Sequence, residues 1–319
     1  MATYLTPFET AEAIRIEAMR IGFSACGFAS IADVPVEVWN CWHDWISAGK
    51  HDAMTYMERY GELRRNPTGL LNGAKTVICL ALNYYPAKKQ PRTHPRFAYY
   101  AYGKDYHEVL REMLQQLAGY VQQLAGGNER VCCDTAPIFE RYWAVRAGIG
   151  FIGRNSQLIL PHKGSYFYLG ELLTTLSLPN SFPIKSDCGN CRRCIDACPT
   201  HAIGENRTID ARRCISCQTI ENKNAIPPEI VTRLGRRVYG CDTCQEVCPH
   251  NQYATPTQIA DLQPNEEILN LTYNKLKHLS REDYNRIFRH SAVKRAKYEG
   301  LMRNVAALNP ELFEKEATE

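Results

Sequence analysis

Nine of the fourteen cysteines in this 319-residue chain fall between Cys188 and Cys248. The run DCGNCRRCIDACPT spaces Cys188, Cys191, Cys194 and Cys198 as C-x2-C-x2-C-x3-C, with Pro199 behind the last. Such spacing wraps three thiolates round one iron–sulfur cubane and sends the fourth, on the following helix, to a second one. GCDTCQEVCPHN repeats the last three positions as Cys241, Cys244 and Cys248, followed by Pro249. Two cubanes take four thiolates each, and the two runs lack one of that set. Cys214 and Cys217 lie between the runs, so one of them completes it and one is spare. In the crossed arrangement Cys188, Cys191, Cys194 and Cys248 hold one cluster. Cys198, Cys241, Cys244 and either Cys214 or Cys217 hold the other. A zinc ribbon would use two CxxC pairs and would leave the repeated CxxCxxxCP run unexplained. The expected chemistry is one-electron transfer through two [4Fe–4S] clusters, which by themselves make and break no substrate bond.

The pattern is that of a bacterial ferredoxin-like domain, here at residues 181–256. The other cysteines, Cys26, Cys41, Cys79, Cys132 and Cys133, are scattered through the chain before it. The start, MATYLTPFETAEAIRIEAMRIGF, has acids early and no basic-then-apolar order, so no export signal is expected. Reduced thiols and a cytoplasmic location follow. With 45% hydrophobic and 23% charged residues the chain is globular, and the net charge of +4 says little about partners. The longest apolar run, Val77 to Leu82, is far short of the roughly 20 residues a spanning helix needs, so no membrane association is expected.

Something must give the clusters work, and residues 1–180 are the place to look. Apolar periodicity predicts a helix over 8–20 with Phe8, Ala11, Ile14 and Ala18 on one face. Further helices are expected over 36–47 behind Pro35, over 105–124 capped by Asp105 and stopped by Gly126-Gly127, and over 141–148. Strands are expected over 21–30, 76–84, 131–137 and 166–176. Alternating helices and strands imply a layered α/β (α+β) domain. A linker at 181–187 leads into the cysteine segment. From about 257 to 319 the chain reads as a polar helical segment. Between Lys275 and Arg303 it carries nine Lys/Arg against three Asp/Glu.

Three segments of the first domain look like parts of a site. RFAYYAYGKDYHEVL sets tyrosines before Asp105 and His107. VCCDTAPIFERYWAVRAGIGFIGRNSQLIL puts Asp134 just behind a strand and then holds Gly148, Gly150 and Gly153. HKGSYFYLGELLT has Gly164 and Gly170 around an aromatic strand. An acid boxed by aromatics would have a raised pKa and could donate a proton. Glycines would let backbone approach a bulky ligand. Each also has a plain structural use: Asp134 as a helix cap, His107 as a satisfied helix residue, Cys132 and Cys133 as packing, and the glycines as turns.

AYGKDYHEVL, APIFERYWAVRAGIGFIGRNSQLI, GSYFYLGELLT and the cysteine runs together resemble the epoxyqueuosine reductase family over about residues 50–250. The resemblance implies a cobalamin-binding catalytic domain at 1–180 above the ferredoxin-like domain, and removal of the epoxide oxygen of epoxyqueuosine in the anticodon loop of tRNA. It implies Asp134 as proton donor, and corrin contacts near Met57, Phe97, Asp134, Leu158, Leu169 and Arg213. It prefers Cys214 over Cys217 as the remaining ligand. It implies electrons passing from an external low-potential donor through both clusters to cobalt. Asp105-Tyr106-His107 begins like the Asp-x-His-x-x-Gly signature of base-off cobalamin domains, but Leu110 stands where the Gly should be. That agrees with a family in which no histidine reaches the cobalt.

Longer family members continue into a helical-repeat extension, which GLMRNVAALNP resembles at its opening. The basic stretch 275–303 is a candidate tRNA surface, or simply a solvated face. A monomer is expected. Two rival readings are a reductive dehalogenase-like enzyme with the same cofactors and a non-catalytic electron carrier. A tRNA-binding module with structural clusters is a third.

Overall fold

A computed structural model describes residues 5–317. Eight strands are present among them: β1 (Ala25–Ser30), β2 (Thr76–Asn83), β3 (Arg96–Phe97), β4 (Glu129–Cys132), β5 (Phe151–Ile152), β6 (Leu158–Ile159), β7 (Phe167–Thr174) and β8 (Arg237–Tyr239). The main sheet has the order β1-β2-β7-β4, and every pair in it is antiparallel. Helices and strands alternate along the chain as expected, but β7 returns between β2 and β4, so the α+β form is the one realised.

Strand alternation divides the core. Ile78, Leu80 and Leu82 of β2 point to one face, and Val77, Cys79 and Ala81 to the other. The first face is covered by two helices, Pro7–Ile21 and Tyr106–Ala125. Thr6 and Glu9 close a capping box at the start of the first helix. Asp105 caps the second by accepting from the His107 N–H. Leu110, Leu114 and Leu117 of that helix are fully buried, each contributing about 1.5–3 kcal/mol by leaving water. The other face is covered by the short helix Glu140–Arg146, whose Trp143 and Ala144 are buried.

The larger core does not stop at residue 180. It runs on through Ile215, Leu234 and Tyr239 of the cysteine-rich segment into Ile268, Leu276 and Phe288. Parallel pairing of β3 with β8 joins the first stretch to the second. The three expected domains therefore share one interior, and the stretch after 257 is less polar than its composition implied: its short helices bury an apolar side. Phe8 is the other departure. It is 71% exposed, whereas Ala11, Ile14 and Ala18 of its helix are buried as expected. No helix of the described residues is long and apolar enough to cross a membrane.

The glycines serve packing against the protein itself. A Cβ on Gly170 would lie 2.8 Å from Leu114 Cδ1, so glycine lets the long helix sit down on β7. At Gly164, with φ +87°, a Cβ would lie 2.3 Å from Asn251 Oδ1.

Candidate active site

Edge strand β4 ends at Cys132, and Cys133 turns inward, 4% exposed. Asp134 follows with φ +52°, a left-handed conformation that aspartate tolerates better than most residues. Its N–H donates to Glu140 Oε1 at 2.8 Å, which ties the turn to the next helix. Its Oδ2 takes two partners from the start of the helix Tyr106–Ala125: the Tyr106 hydroxyl donates at 2.9 Å, and His107 Nε2 lies at 3.0 Å. The other ring nitrogen of His107 lies 2.8 Å from Asp105 Oδ1. The Tyr106 ring stacks on Tyr168 of β7 at 4.5 Å. Three segments thus converge on one carboxylate. Its side chain is 53% exposed, yet protein surrounds it on most sides: it stands in an open recess.

These contacts reverse the charge state expected from sequence. Burial alone would raise the Asp134 carboxyl, but hydrogen bonds from His107 and Tyr106, with the charges of His107 and Arg295, hold it below the usual range. Burial alone would lower His107, but the carboxylates of Asp105 and Asp134 raise it to about 9. At neutral pH the pair is an imidazolium beside a carboxylate, so the expectation of a raised Asp134 is corrected: the proton rests on His107. Beneath the turn, burial and the Asp134 charge push Glu140 up to about 7. Glu171 on β7 is fully buried, raised well above its ordinary value by burial, and both its oxygens lack hydrogen-bond partners.

Across the recess stands Arg295, two of its nitrogens engaged by Glu221 and its Cζ 5.5 Å from the Tyr56 ring centroid. The charges bearing on Tyr56 include Asp134, Glu221, Arg295 and Cys217, so this ring lies between the acid and the cysteine-rich segment. Met57, its neighbour, is half-buried in the turn Thr55–Glu58. Leu169 is half-buried beside Tyr168, and Arg213 is exposed. Phe97 and Leu158 are different. They are 2% and 4% exposed, and Phe97 sits between Tyr239 and Phe288 with ring centroids 6.2 and 5.8 Å away. Their side chains belong to the core.

Cys188, Cys191, Cys194 and Cys248 line a single cavity. In the other group the charges bearing on Cys214 include those of Cys241 and Cys198, and those on Cys244 include Cys241 and Cys214, together with Asp242 and Cys194 of the first group. Backbone N–H of Ala202 points at Cys198 Sγ at 3.3 Å. Cys217 faces elsewhere: its thiol donates to Asp52 Oδ2 at 3.8 Å. Among the described residues no three His, Cys, Asp or Glu converge as ligands of one metal ion. A cubane, gripped at separate corners, does not require them to.

Residues 64–135 match the family described as epoxyqueuosine reductase QueG, DUF1730, and residues 187–251 match the 4Fe-4S double cluster binding domain. An epoxyqueuosine reductase of Cellulophaga algicola is 37% identical over 293 residues, spanning 92% of this chain and 95% of that one. One of Pseudomonas aeruginosa is 39% identical over 309 residues, spanning 94% and 85%. This chain belongs to the epoxyqueuosine reductase family. It is an oxidoreductase of that family, and its fold agrees. A crystal structure of epoxyqueuosine reductase with a tRNA-Tyr epoxyqueuosine-modified stem loop superposes with a TM-score of 0.85 at 32% identity, covering 95% of this chain and 81% of that one. A Bacillus subtilis epoxyqueuosine reductase, with its catalytic aspartate loop swung out of the active site, gives 0.86 at 31% over the same shares. The first family match contains Tyr106, His107 and Asp134; the second contains every cysteine from Cys188 to Cys248.

Sequence reasoning weighed His107 as an ordinary helix residue and passed over Tyr106, Glu140, Glu171 and Arg295. Two signals were there to read. Glu171 interrupts an otherwise apolar strand, and Tyr106-His107 directly follow a capping aspartate. Nothing local pointed to Arg295, which arrives from 161 residues beyond Asp134 in sequence.

Proposed function

We propose that this chain reduces epoxyqueuosine to queuosine in the anticodon loop of tRNA, using two [4Fe–4S] clusters and cobalamin. The observation that carries the reading is Asp134, tied to His107 and Tyr106 in an open recess whose far wall is backed by the cysteine segment. The reaction takes two electrons and two protons. Both C–O bonds of the epoxide break, an alkene forms and the oxygen leaves as water.

Cys188, Cys191, Cys194 and Cys248 would hold one cluster, and Cys198, Cys214, Cys241 and Cys244 the other. Cys217, committed to Asp52, is the spare thiol. We place the second cluster nearer to Asp134, because Cys214 neighbours Cys217, whose charge bears on Tyr56 together with that of Asp134. The exposed ring of Tyr56, 41% open to solvent and close enough to Asp134 and Arg295 to feel their charges, would offer an aromatic face to a large flat ligand. Met57, Leu169, Arg213 and Asp134 would hold cobalamin, with Phe97 and Leu158 shaping the recess from within the core. When bound, cobalamin supplies the strongly reducing centre that the epoxide carbon needs.

The chain's own residues handle the protons. Tyr106 and His107 both engage Oδ2, so a proton passed from His107 lands on Oδ2, and a half-turn of the carboxyl about Cβ–Cγ presents it to the leaving oxygen. Seating the substrate excludes water, which favours the neutral form of the pair and moves the His107 proton onto Asp134. Asp134 then protonates the leaving oxygen, help worth about 10²–10⁴-fold. His107 is recharged from solvent, to which its side chain is 31% exposed.

Part of the basic stretch is neutralised within the protein: Arg281, Arg286 and Arg295 are in ion pairs, and Arg303 binds backbone carbonyls. Among the described residues Lys277, Arg289, Lys294 and Lys297 make no ion pair, and these are the phosphate contacts we assign. The base must be splayed from its loop to reach the recess. An external low-potential donor, a monomeric chain and a cytoplasmic setting complete the reading.

The test is anaerobic turnover. Protein with clusters and cobalamin restored, and a low-potential reductant, is mixed with an epoxyqueuosine-bearing stem loop, and the nucleosides are weighed by mass spectrometry. Loss of one oxygen supports the proposal. No loss, with iron and cobalt confirmed, sinks it.

A further inference from the structure

The hairpin of β5 and β6 turns through Gly153–Gln157, closed by the Gly153 N–H donating to the Gln157 carbonyl at 2.9 Å. Its tip carries Arg154 and Asn155, and both line the cavity of Cys188, Cys191, Cys194 and Cys248. Asn155 is 2% exposed, and its Oδ1 accepts from the Gln157 N–H at 3.3 Å. That contact settles which end of the amide is oxygen, so the other end is Nδ2. Nδ2 is buried and has no hydrogen-bond partner. The same holds for Arg154 Nε. The Arg154 guanidinium is anchored by its far nitrogens: Nη2 donates to the Gly189 carbonyl at 3.0 Å, one residue past Cys188, and Nη1 lies 3.7 Å from Glu205. Two adjacent residues thus each leave a buried N–H without an acceptor, at the wall of one thiol-lined cavity. Burying an unpaired donor costs about 1–3 kcal/mol, and native proteins rarely leave one without a reason.

We propose that Asn155 Nδ2–H and Arg154 Nε–H donate hydrogen bonds to sulfur atoms of the cluster at Cys188, Cys191, Cys194 and Cys248, and so raise its reduction potential relative to the other cluster. The proposal rests on the reading that these four cysteines hold a [4Fe–4S] cluster. A sulfur of the reduced cluster carries more negative charge than that of the oxidised one, so an N–H aimed at it favours reduction; hydrogen bonds to sulfur are an established control of such potentials. This cluster is the one farther from Asp134, and the tuning makes it the better acceptor of the first electron. Neither residue touches substrate. They are positioning residues for electron entry.

The experiment is an EPR-monitored redox titration of the reconstituted protein, with Asn155→Leu and Arg154→Met as separate variants. Leucine keeps the bulk of asparagine without the donor, and methionine keeps the arginine stem. Each variant should lower one of the two reduction waves by about tenfold in its one-electron equilibrium, 59 mV, and leave the other in place. Pulsed EPR of the reduced wild-type protein in D2O gives a check that needs no variant to fold. Exchanged deuterons should couple to the cluster whose wave the variants move. Both waves unmoved in variants with full iron content, or no deuteron coupling in the wild type, overturns the inference alone. A wild-type chain that assembles no cluster at the cavity overturns the reading beneath it as well.

Discussion

The cysteine cavity and the Asp134 recess are built in opposite ways. Three of the four thiols lining the cavity come from seven consecutive residues, Cys188 to Cys194, and only Cys248 arrives from afar. The recess draws Tyr56, Tyr106-His107, Asp134, Glu221 and Arg295 from five separate segments. Ligands of a cluster must sit at fixed short separations, and a tight loop provides them, so the chemistry is written in local spacing. A proton donor needs a charge environment, which only packing supplies. Electron handling can be read along the chain, whereas proton handling must be read across it.

The comparison breaks most sharply at its electron side. Cys248→Ala should remove the farther cluster and abolish turnover, a loss of at least about 10³-fold if that cluster lies on the obligatory path. Iron analysis and product formation check it, and full turnover with half the iron would show the path assigned wrongly. On the proton side, His107→Gln should cut kcat by about 10²-fold, the low end of general acid catalysis, and leave both clusters intact. The wild-type rate should hold at neutral pH and fall as pH rises through about 9, where His107 loses its proton. The same shift bears on stability. His107 titrates higher in the fold than the ordinary 6.5, so its contribution is complete below 6.5 and is lost as pH rises through about 9. A rate profile unchanged in His107→Gln would separate the imidazole from the chemistry.

Smaller effects sharpen the outer boundary of each region. Binding of the modified stem loop should weaken with salt, and replacing Lys294 and Lys297 with Ala should lower the log–log slope by about 1–2, since each phosphate contact contributes about 0.7–0.9. An unchanged slope would move the docking surface elsewhere. Cys217→Ser should change least, keeping both clusters and turnover within about twofold, because its thiol donates to Asp52. Loss of one cluster in that variant would exchange the roles of Cys217 and Cys214.

Much of the scaffold was legible. The helix Val36–Ser47 and the start of β2 at Thr76 fall where pattern put them, because Pro35 and a β-branched apolar run leave little choice. The single interior was not legible. Nothing in the linker composition at 181–187 announced that Tyr239 and Phe288 would pack round Phe97, a contact set by the β3–β8 pairing. Spacing narrows the candidate cluster thiols to one ambiguity, Cys214 against Cys217, and Asp52 bears on that choice from 165 positions away. Asp134 was singled out through resemblance, but its charge was not legible. The aromatic neighbours were visible in sequence; the imidazole that outweighs them was visible only as a helix residue.

The division between electron and proton handling is tested most directly in one variant with two readouts. Asp134→Asn protein, loaded and reduced beside wild type, is mixed with modified stem loop, and the same samples are examined by EPR for reduced clusters and by nucleoside mass spectrometry for oxygen loss. The account predicts clusters that reduce as in wild type and product formation lowered by about 10²–10⁴-fold. Wild-type product formation in the variant would contradict it, and so would clusters that no longer reduce, since Asp134 would then belong to the electron side.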